Sequence, residues 1–196
     1  MTRLYLIRHP HTRPDPALPA SQWDLSDMGR EQVEALVRAP IWGDVAAVYT
    51  SSQRKTTCVG EALRAAFQLP LYELAGLDEA ARDRWLEPDD FQAAQRAFFA
   101  LPDRPPVPGW ETADAARLRF VAALDEISAR HEPDESIAVV THATVLTLYL
   151  AYLRGEPARF ADWGAIGFAE IVTLDRVTRH PLTPFVAAPY DGLLRS

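Results

Sequence analysis

The sequence predicts an α/β fold, a three-layer sandwich in which a mainly parallel sheet is flanked by helices. Three observations carry this prediction. Short β-prone segments alternate with segments of helical period. The run Val145–Leu153 is apolar nearly all round, the mark of a helix buried against a sheet. The chain has 196 residues, 48% apolar and 24% charged, enough for a sizeable core. The reading is one domain over residues 1–196, with a lid-like insert around 75–110 and a Pro-rich C-terminal tail.

Each element has its own warrant. Arg3–Arg8 reads as a short buried strand closed off by the proline loop Pro10–Pro19. Ser26 can cap a helix from about Asp27, whose apolar face holds Val33, Leu36 and Val37 and which ends before Pro40. Val45–Tyr49 reads as a second strand, followed by a helix over about Arg54–Phe67. After a less regular stretch, Phe91, Ala94 and Phe98 share one helical side. Another helix starts near Thr112, with Ala116, Phe120, Ala123, Leu124 and Ile127 in register. Ser136–Thr141 is a strongly β-prone strand, Val145–Leu153 the buried helix, and Gly167–Leu174 the last strand.

Composition narrows the function. Cys58 is the only cysteine, which excludes a disulfide scaffold and points to a reducing compartment. The apolar run at the N-terminus is too short for a signal-peptide core, so the expected location is the cytoplasm. The nine residues Val145–Leu153 are about half a bilayer span, so no membrane role is expected. The formal charge of −7, with 27 acidic against 20 basic residues, argues against a nucleic-acid partner. An anionic small substrate stays open, because a pocket needs only local positive charge.

In open α/β sheets, ligands bind beyond the carboxyl ends of the strands. The first strand ends in Arg8-His9-Pro10-His11-Thr12, the second in Thr50-Ser51-Ser52-Gln53-Arg54-Lys55. The Ser136–Thr141 strand ends in His142-Ala143-Thr144, directly before a helix. Two histidines and several basic groups thus meet on one rim. The helix start adds free N–H groups and the positive end of a dipole. That set suits an oxyanion, phosphate above all.

These residues carry a resemblance. The strand followed by Arg8-His9, Leu25-Ser26-x-x-Gly29-x-x-Gln32 before a helix, the Ser51-Ser52…Arg54-Lys55 turn and Val140-Thr141-His142-Ala143 are similar, in order, to the histidine phosphatase superfamily, the phosphoglycerate mutase-like enzymes. The resemblance runs from Leu4 to about Leu153. It implies phosphoryl transfer through a phosphohistidine, with no metal and no cofactor, on a small phosphorylated substrate. His9 would be the nucleophile. Arg8, Thr12, His142 and one of the Arg54–Lys55 pair would hold the phosphoryl oxygens, where fixed donors meet the charge of the transition state. Glu79, in Leu77-Asp78-Glu79, takes the place of the family's general acid, a role that asks for a raised pKa; Asp78 is the fallback. Gly109-Trp110-Glu111-Thr112 resembles the Gly-Glu-Ser motif, with Thr112 as a helix N-cap and Glu111 beside it.

Four positions depart from the family pattern. Pro10 replaces a glycine and so donates no N–H. Asp15 stands where many members carry a phosphate-contacting asparagine. Counting from Ser51 favours Arg54 as the second cation, while alignment to the helix favours Lys55. Ala143 replaces a glycine. A degenerate member that binds a phosphorylated ligand without turning it over is therefore the main alternative. A mutase would need to exclude water, and no such machinery is visible. His9-x-His11 also opens some metal-dependent barrel hydrolases, but the chain is short for a barrel and no further ligand run follows. His11, His131 and His180 are expected to do nothing chemical, and Cys58 to be a buried small hydrophobe. The aromatics Trp85, Phe91, Phe98, Phe99 and Trp110 read as core, and the tail after His180 as packing or a homodimer contact.

Overall fold

The architecture comes from a computed structural model, which describes residues 2–193. In chain order the elements are β1 (Arg3–Arg8), α1 (Asp27–Val37), β2 (Val45–Thr50), α2 (Arg54–Phe67), β3 (Leu71–Glu73), α3 (Pro88–Ala100), α4 (Ala113–Ala129), β4 (Ser136–Thr141), α5 (Ala143–Arg154), α6 (Phe160–Ala165) and β5 (Ile171–Asp175). Among the described residues they build one sheet of order β3-β2-β4-β1-β5. All neighbours are parallel except β5, which runs antiparallel to β1.

Side chains alternate across a strand, so each strand feeds two cores. Leu4 and Leu6 of β1 face the same layer as Ile137 and Val139 of β4, where Phe120 and Leu124 of α4 and Val145 and Tyr149 of α5 cover them. Tyr5, Ile7, Ala138 and Val140 face the opposite layer, under Leu36 of α1 and Val59 and Leu63 of α2. A parallel sheet covered on both faces explains why its strands are apolar at consecutive positions. A smaller cluster, built on Phe98, Phe99, Ala113, Ala116 and Leu148, seats α3 against the ends of α4 and α5.

Most expected elements form where the pattern places them, and the differences have local causes. The last strand starts at Ile171 rather than Gly167. The residues before it make a turn in which the Glu170 carboxylate accepts the Gly167 N–H at 2.8 Å and Ala169 adopts φ +58°. The buried helix starts at Ala143, two residues earlier than its apolar run, because His142 already serves as its N-cap residue. β3 and α6, three and six residues long, are too short to show a period. Cys58 is half-buried rather than buried, on the outer part of α2.

The Leu25–Gln32 segment shows why its residue types recur at that spacing. Ser26 Oγ accepts the Gly29 N–H at 3.0 Å and caps α1. Gln32 Oε1 accepts the His11 N–H at 2.7 Å, and the Ser26 N–H donates to the His11 carbonyl at 3.2 Å. The start of α1 therefore clamps both backbone groups of the residue two past His9. A Cβ at Gly29 would lie 2.0 Å from that carbonyl oxygen. Because the obstacle is backbone, relief needs movement of the whole segment. Gly29→Ala is expected to cost about 1–3 kcal/mol in urea unfolding; an unchanged midpoint would mean that α1 is not held this tightly.

Candidate active site

Strand register builds the site. β1 pairs with β4 so that Arg8 stands opposite Thr141, and the next residue of each strand is a histidine. His9 and His142 consequently lie side by side, ring centroids 5.1 Å apart, and both are buried. β2 lies on the other side of β4, and Ser51 just past its end reaches His142 Nε2 at 2.8 Å. Ser51 Oγ is itself 2.7 Å from Thr56 Oγ1 on α2. This chain of hydroxyls fixes the His142 ring, whose Nδ1 is buried with no partner among the described residues.

The state of His9 can be read from one contact. Its Nδ1 is 2.7 Å from the Pro10 carbonyl, which can only accept, so Nδ1 carries the proton. Nε2 is then left with a lone pair. Burial first, then Lys55, Arg8 and Arg82, hold the ring well below its ordinary 6.5, against the opposing pull of the Pro10 carbonyl. Burial also depresses His142, with His9 and Lys55 adding to it. Both imidazoles are neutral at pH 7.

Three cations surround them. Arg8 lies 3.8 Å from the centre of the Phe168 ring and donates to the Ile166 carbonyl, while its Nε is buried with no partner among the described residues. Lys55 is buried at 4% exposure and donates to the Ala20 carbonyl at 2.6 Å. Burial pushes its ammonium down to about 8, opposed by Glu79. Arg82 stacks near Phe91 and Trp110, 4.9 and 5.7 Å from their ring centres, and burial lowers it too. Arg54 does not join them: it is exposed and pairs with Asp24 at 2.5 Å. Of the two expected candidates for the second cation, only Lys55 is thus turned inward.

Glu79 sits at the start of α5, its Oε2 accepting the Thr144 N–H at 3.3 Å and its Oε1 the Ala80 N–H at 3.0 Å. It opens on a cleft of about 330 Å³ that Arg82, Ala20 and Asp78 also line. The fallback Asp78 is occupied, accepting from the Ser52 N–H and hydroxyl at 2.7 to 2.9 Å. Asp15 is exposed and caps its own loop through the Ala17 N–H at 2.9 Å, so its charge does not enter the site. Thr12 is buried and pairs its backbone with Leu25. Thr112 caps α4 as expected, through the Ala115 N–H at 3.1 Å. Glu111 does more than flank it.

Glu111 holds Arg119 in a two-pronged pair at 3.0 and 2.8 Å, and Arg119 donates to the carbonyls of Gly76, Asp78 and Glu79 at 3.0 to 3.3 Å. One guanidinium thus gathers three carbonyls of the segment bearing Glu79, which Ser52 and Thr141 hold as well through Asp78 and the Leu77 carbonyl. Arg119 and Arg82 were beyond sequence reasoning, since neither lies in a recognisable motif. The sole pointer was Glu111, whose charge needed a partner. Phe168, which packs against His9 and under Arg8, lies in the turn that was read as strand. His11 contacts Ser26 at 2.8 Å and the Phe168 ring. Among the described residues, no three His, Cys, Asp or Glu side chains group as a metal-ligand set.

Sheet order and site together define an α/β protein of the histidine phosphatase kind. The chain belongs to the histidine phosphatase superfamily, whose branch 1 model matches residues 4–183. Among solved structures, Bacillus stearothermophilus YhfR is similar at 22% identity, with 96% of this chain and 97% of that one covered and a TM-score of 0.79. A mycobacterial glucosyl-3-phosphoglycerate phosphatase, Rv2419c, solved with inorganic phosphate, matches at 23% identity over 89% of each chain, with a TM-score of 0.71. The Entamoeba histolytica phosphoserine phosphatase in complex with 3-phosphoglyceric acid matches at 17% identity over 97% of this chain and 99% of that one, with a TM-score of 0.74. No curated protein sequence matches the chain. No helix among the described residues is long and apolar enough to cross a membrane.

The two neutral histidines tie stability to pH. Their folded values lie below that of a free imidazole, so on acidification the unfolded chain binds protons that the folded chain refuses. Stability is full above about pH 6.5 and falls below it, by up to about 1.4 kcal/mol per pH unit for each ring. Urea unfolding of phosphate-free protein between pH 7 and 5 is expected to show this loss, and His9→Asn to reduce its slope. A variant with the same slope as the parent would place the His9 value near 6.5 after all.

Proposed function

We propose that this chain is a phosphomonoester hydrolase that works through a phosphohistidine on His9 without a metal ion. The observation that carries the reading is the His9 Nδ1–H held on the Pro10 carbonyl, which presents a neutral Nε2 beside three cations and a second imidazole. A nucleophile needs a lone pair, and a phosphoryl group needs fixed positive charge; the two occur here at one sheet edge.

The steps follow from these groups. A phosphomonoester dianion binds among Arg8, Lys55, Arg82 and His142, with Thr12 at the rim. His9 Nε2 attacks phosphorus and forms the N–P bond, as the bond from phosphorus to the ester oxygen breaks. Glu79 gives a proton to the departing oxygen. Water then attacks the phosphohistidine, Glu79 takes up a proton from it, and phosphate leaves with His9 neutral again. The guanidinium forks suit the spread of charge over the equatorial oxygens better than a point charge would.

The non-catalytic alternative rested on Pro10 and Asp15. Pro10 keeps its carbonyl, which is the group His9 uses, and Asp15 is turned to its own loop. Neither departure therefore favours loss of turnover.

The first test is hydrolysis of 4-nitrophenyl phosphate. The parent is expected to be active with or without EDTA and to yield an acid-labile phosphoenzyme, and His9→Ala to lose at least about a thousandfold in kcat. Activity that survives in the variant rejects the nucleophile; phosphate binding without turnover in either would support a binding protein. The second test is Glu79→Gln. It is expected to slow alkyl esters by about a hundredfold or more and 4-nitrophenyl phosphate far less, since nitrophenolate leaves without a proton. Equal losses on both would remove Glu79 from the acid's role.

A further inference from the structure

Beside the cleft that holds Glu79 lies a second cavity, of about 470 Å³, that nothing in the proposed chemistry uses. The two share Pro19, Ala20 and Arg82 as walls, so they are neighbouring rooms with one partition. The second is lined by Trp23, Trp85, Leu86, Phe91 and Trp110 together with several prolines of the Pro14–Pro19 loop. Its size is within the range of small-molecule sites.

Most polar groups on its wall are already spent; the exception is the Trp110 indole N–H, buried and without a partner among the described residues. Asp83 and Arg84 pair with each other at 2.8 Å, and Arg84 also donates to the Pro108 carbonyl at 3.0 Å. The Trp23 indole N–H donates to the carbonyls of Asp15 and Leu18 at 3.0 and 3.3 Å, and that of Trp85 to Glu87 at 3.3 Å. Both indole N–H groups are therefore engaged, and Lys55 Nζ lies 5.9 Å from the centre of the Trp23 ring. The two rings meet edge to face, 5.8 Å between centres, across two separate loops. Trp85 is 38% exposed, uncommon for an indole with no apolar task. Arg82, the charge on the wall outside that pair, lies over the Phe91 and Trp110 rings and lines the Glu79 cleft as well.

We propose that this aromatic room takes the alcohol portion of the substrate, and that the preferred substrates are phosphomonoesters of apolar, ring-bearing alcohols. The inference rests on the hydrolase reading for the phosphate end, with Arg82 at the junction between dianion and apolar group. Sugar, glycerate and amino-acid esters would place hydroxyls, carboxylates or ammonium groups against indole faces, where nothing pairs with them.

The test uses two alkyl esters with the same kind of leaving oxygen, 2-phenylethyl phosphate and ethyl phosphate, so that leaving-group chemistry cancels. Burial of the phenyl group is expected to raise kcat/KM at least about tenfold for the larger ester. Trp85→Ala is expected to remove most of that ratio while leaving ethyl phosphate unchanged, and Trp85→Phe to restore it. A ratio within about twofold of unity, or a Trp85→Ala loss equal on both esters, overturns the proposal. Calorimetric binding of 2-phenylethylphosphonate against ethylphosphonate separates the two readings. If neither ester is turned over, the phosphohistidine chemistry fails while the cavity is still judged. Phenylethyl binding about tenfold tighter and sensitive to Trp85→Ala upholds the cavity's role, and equal binding ends it.

Discussion

The pairing of β1 with β4 in register is the constraint on which the rest of this protein depends. Because Arg8 stands opposite Thr141, the two residues that follow are forced into adjacency although more than a hundred residues of chain separate them. A slip of one residue would turn every side chain of β1 to the other face and exchange Leu4 and Leu6 with Tyr5 and Ile7 between the two cores. The cores thus enforce the register, and the register places the histidines. Catalytic geometry here is a consequence of hydrophobic packing some distance away.

The same packing makes the empty site uncomfortable. Arg8, Lys55 and Arg82 all lose hydration to burial, and both imidazoles are held neutral among them. Glu79 offsets part of this, with Glu170 acting on Arg8 and Asp78 on Lys55, but burial outweighs them at all three cations. The Arg8 Nε and His142 Nδ1 have no partner among the described residues, and such buried donors and acceptors are rare without a reason. A dianion would relieve each of these at once. On the proposed reading, the free protein stores unfavourable charge that the bound phosphoryl group discharges, and a chain with a formal charge of −7 still attracts an anion to one point.

How much of this was legible in the sequence follows from period and range. Strands of five residues or more and helices of eleven or more are marked by apolar spacing, and the strand-end rule then singles out His9 and His142. Lys55 and Arg54 could not be told apart, because one residue of helical rotation, about a hundred degrees, decides which faces inward. Arg82 and Arg119 are not legible for a different reason: their roles are set by Glu79 and Glu111, which stand in loops with no period. Trp85 and Phe91 were read with Phe98, Phe99 and Trp110 as core. Composition cannot distinguish an aromatic that fills a core from one that walls a cavity, since both are apolar, and only the surrounding backbone separates them.

The division of labour between sheet and loops bears on how such a site changes. Arg8, Lys55 and His142 stand at strand ends and helix starts, where displacement would disturb both cores, whereas Arg82 comes from a loop. The aromatic room is made by the Pro14–Trp23 and Arg82–Phe91 segments with Trp110; the two segments touch each other through Trp23 and Trp85, and their contacts with the rest include Lys55 on the Ala20 carbonyl and Arg84 on the Pro108 carbonyl. Loops tolerate substitution and insertion better than the elements they join. Alcohol preference can then drift while the phosphoryl chemistry stays fixed, because the free energy that places His9 and the free energy that shapes the room are supplied by different parts of the chain. Arg82 belongs to both, lining the phosphate cleft and the room alike, while Lys55 holds the proline loop with the same ammonium that faces Glu79.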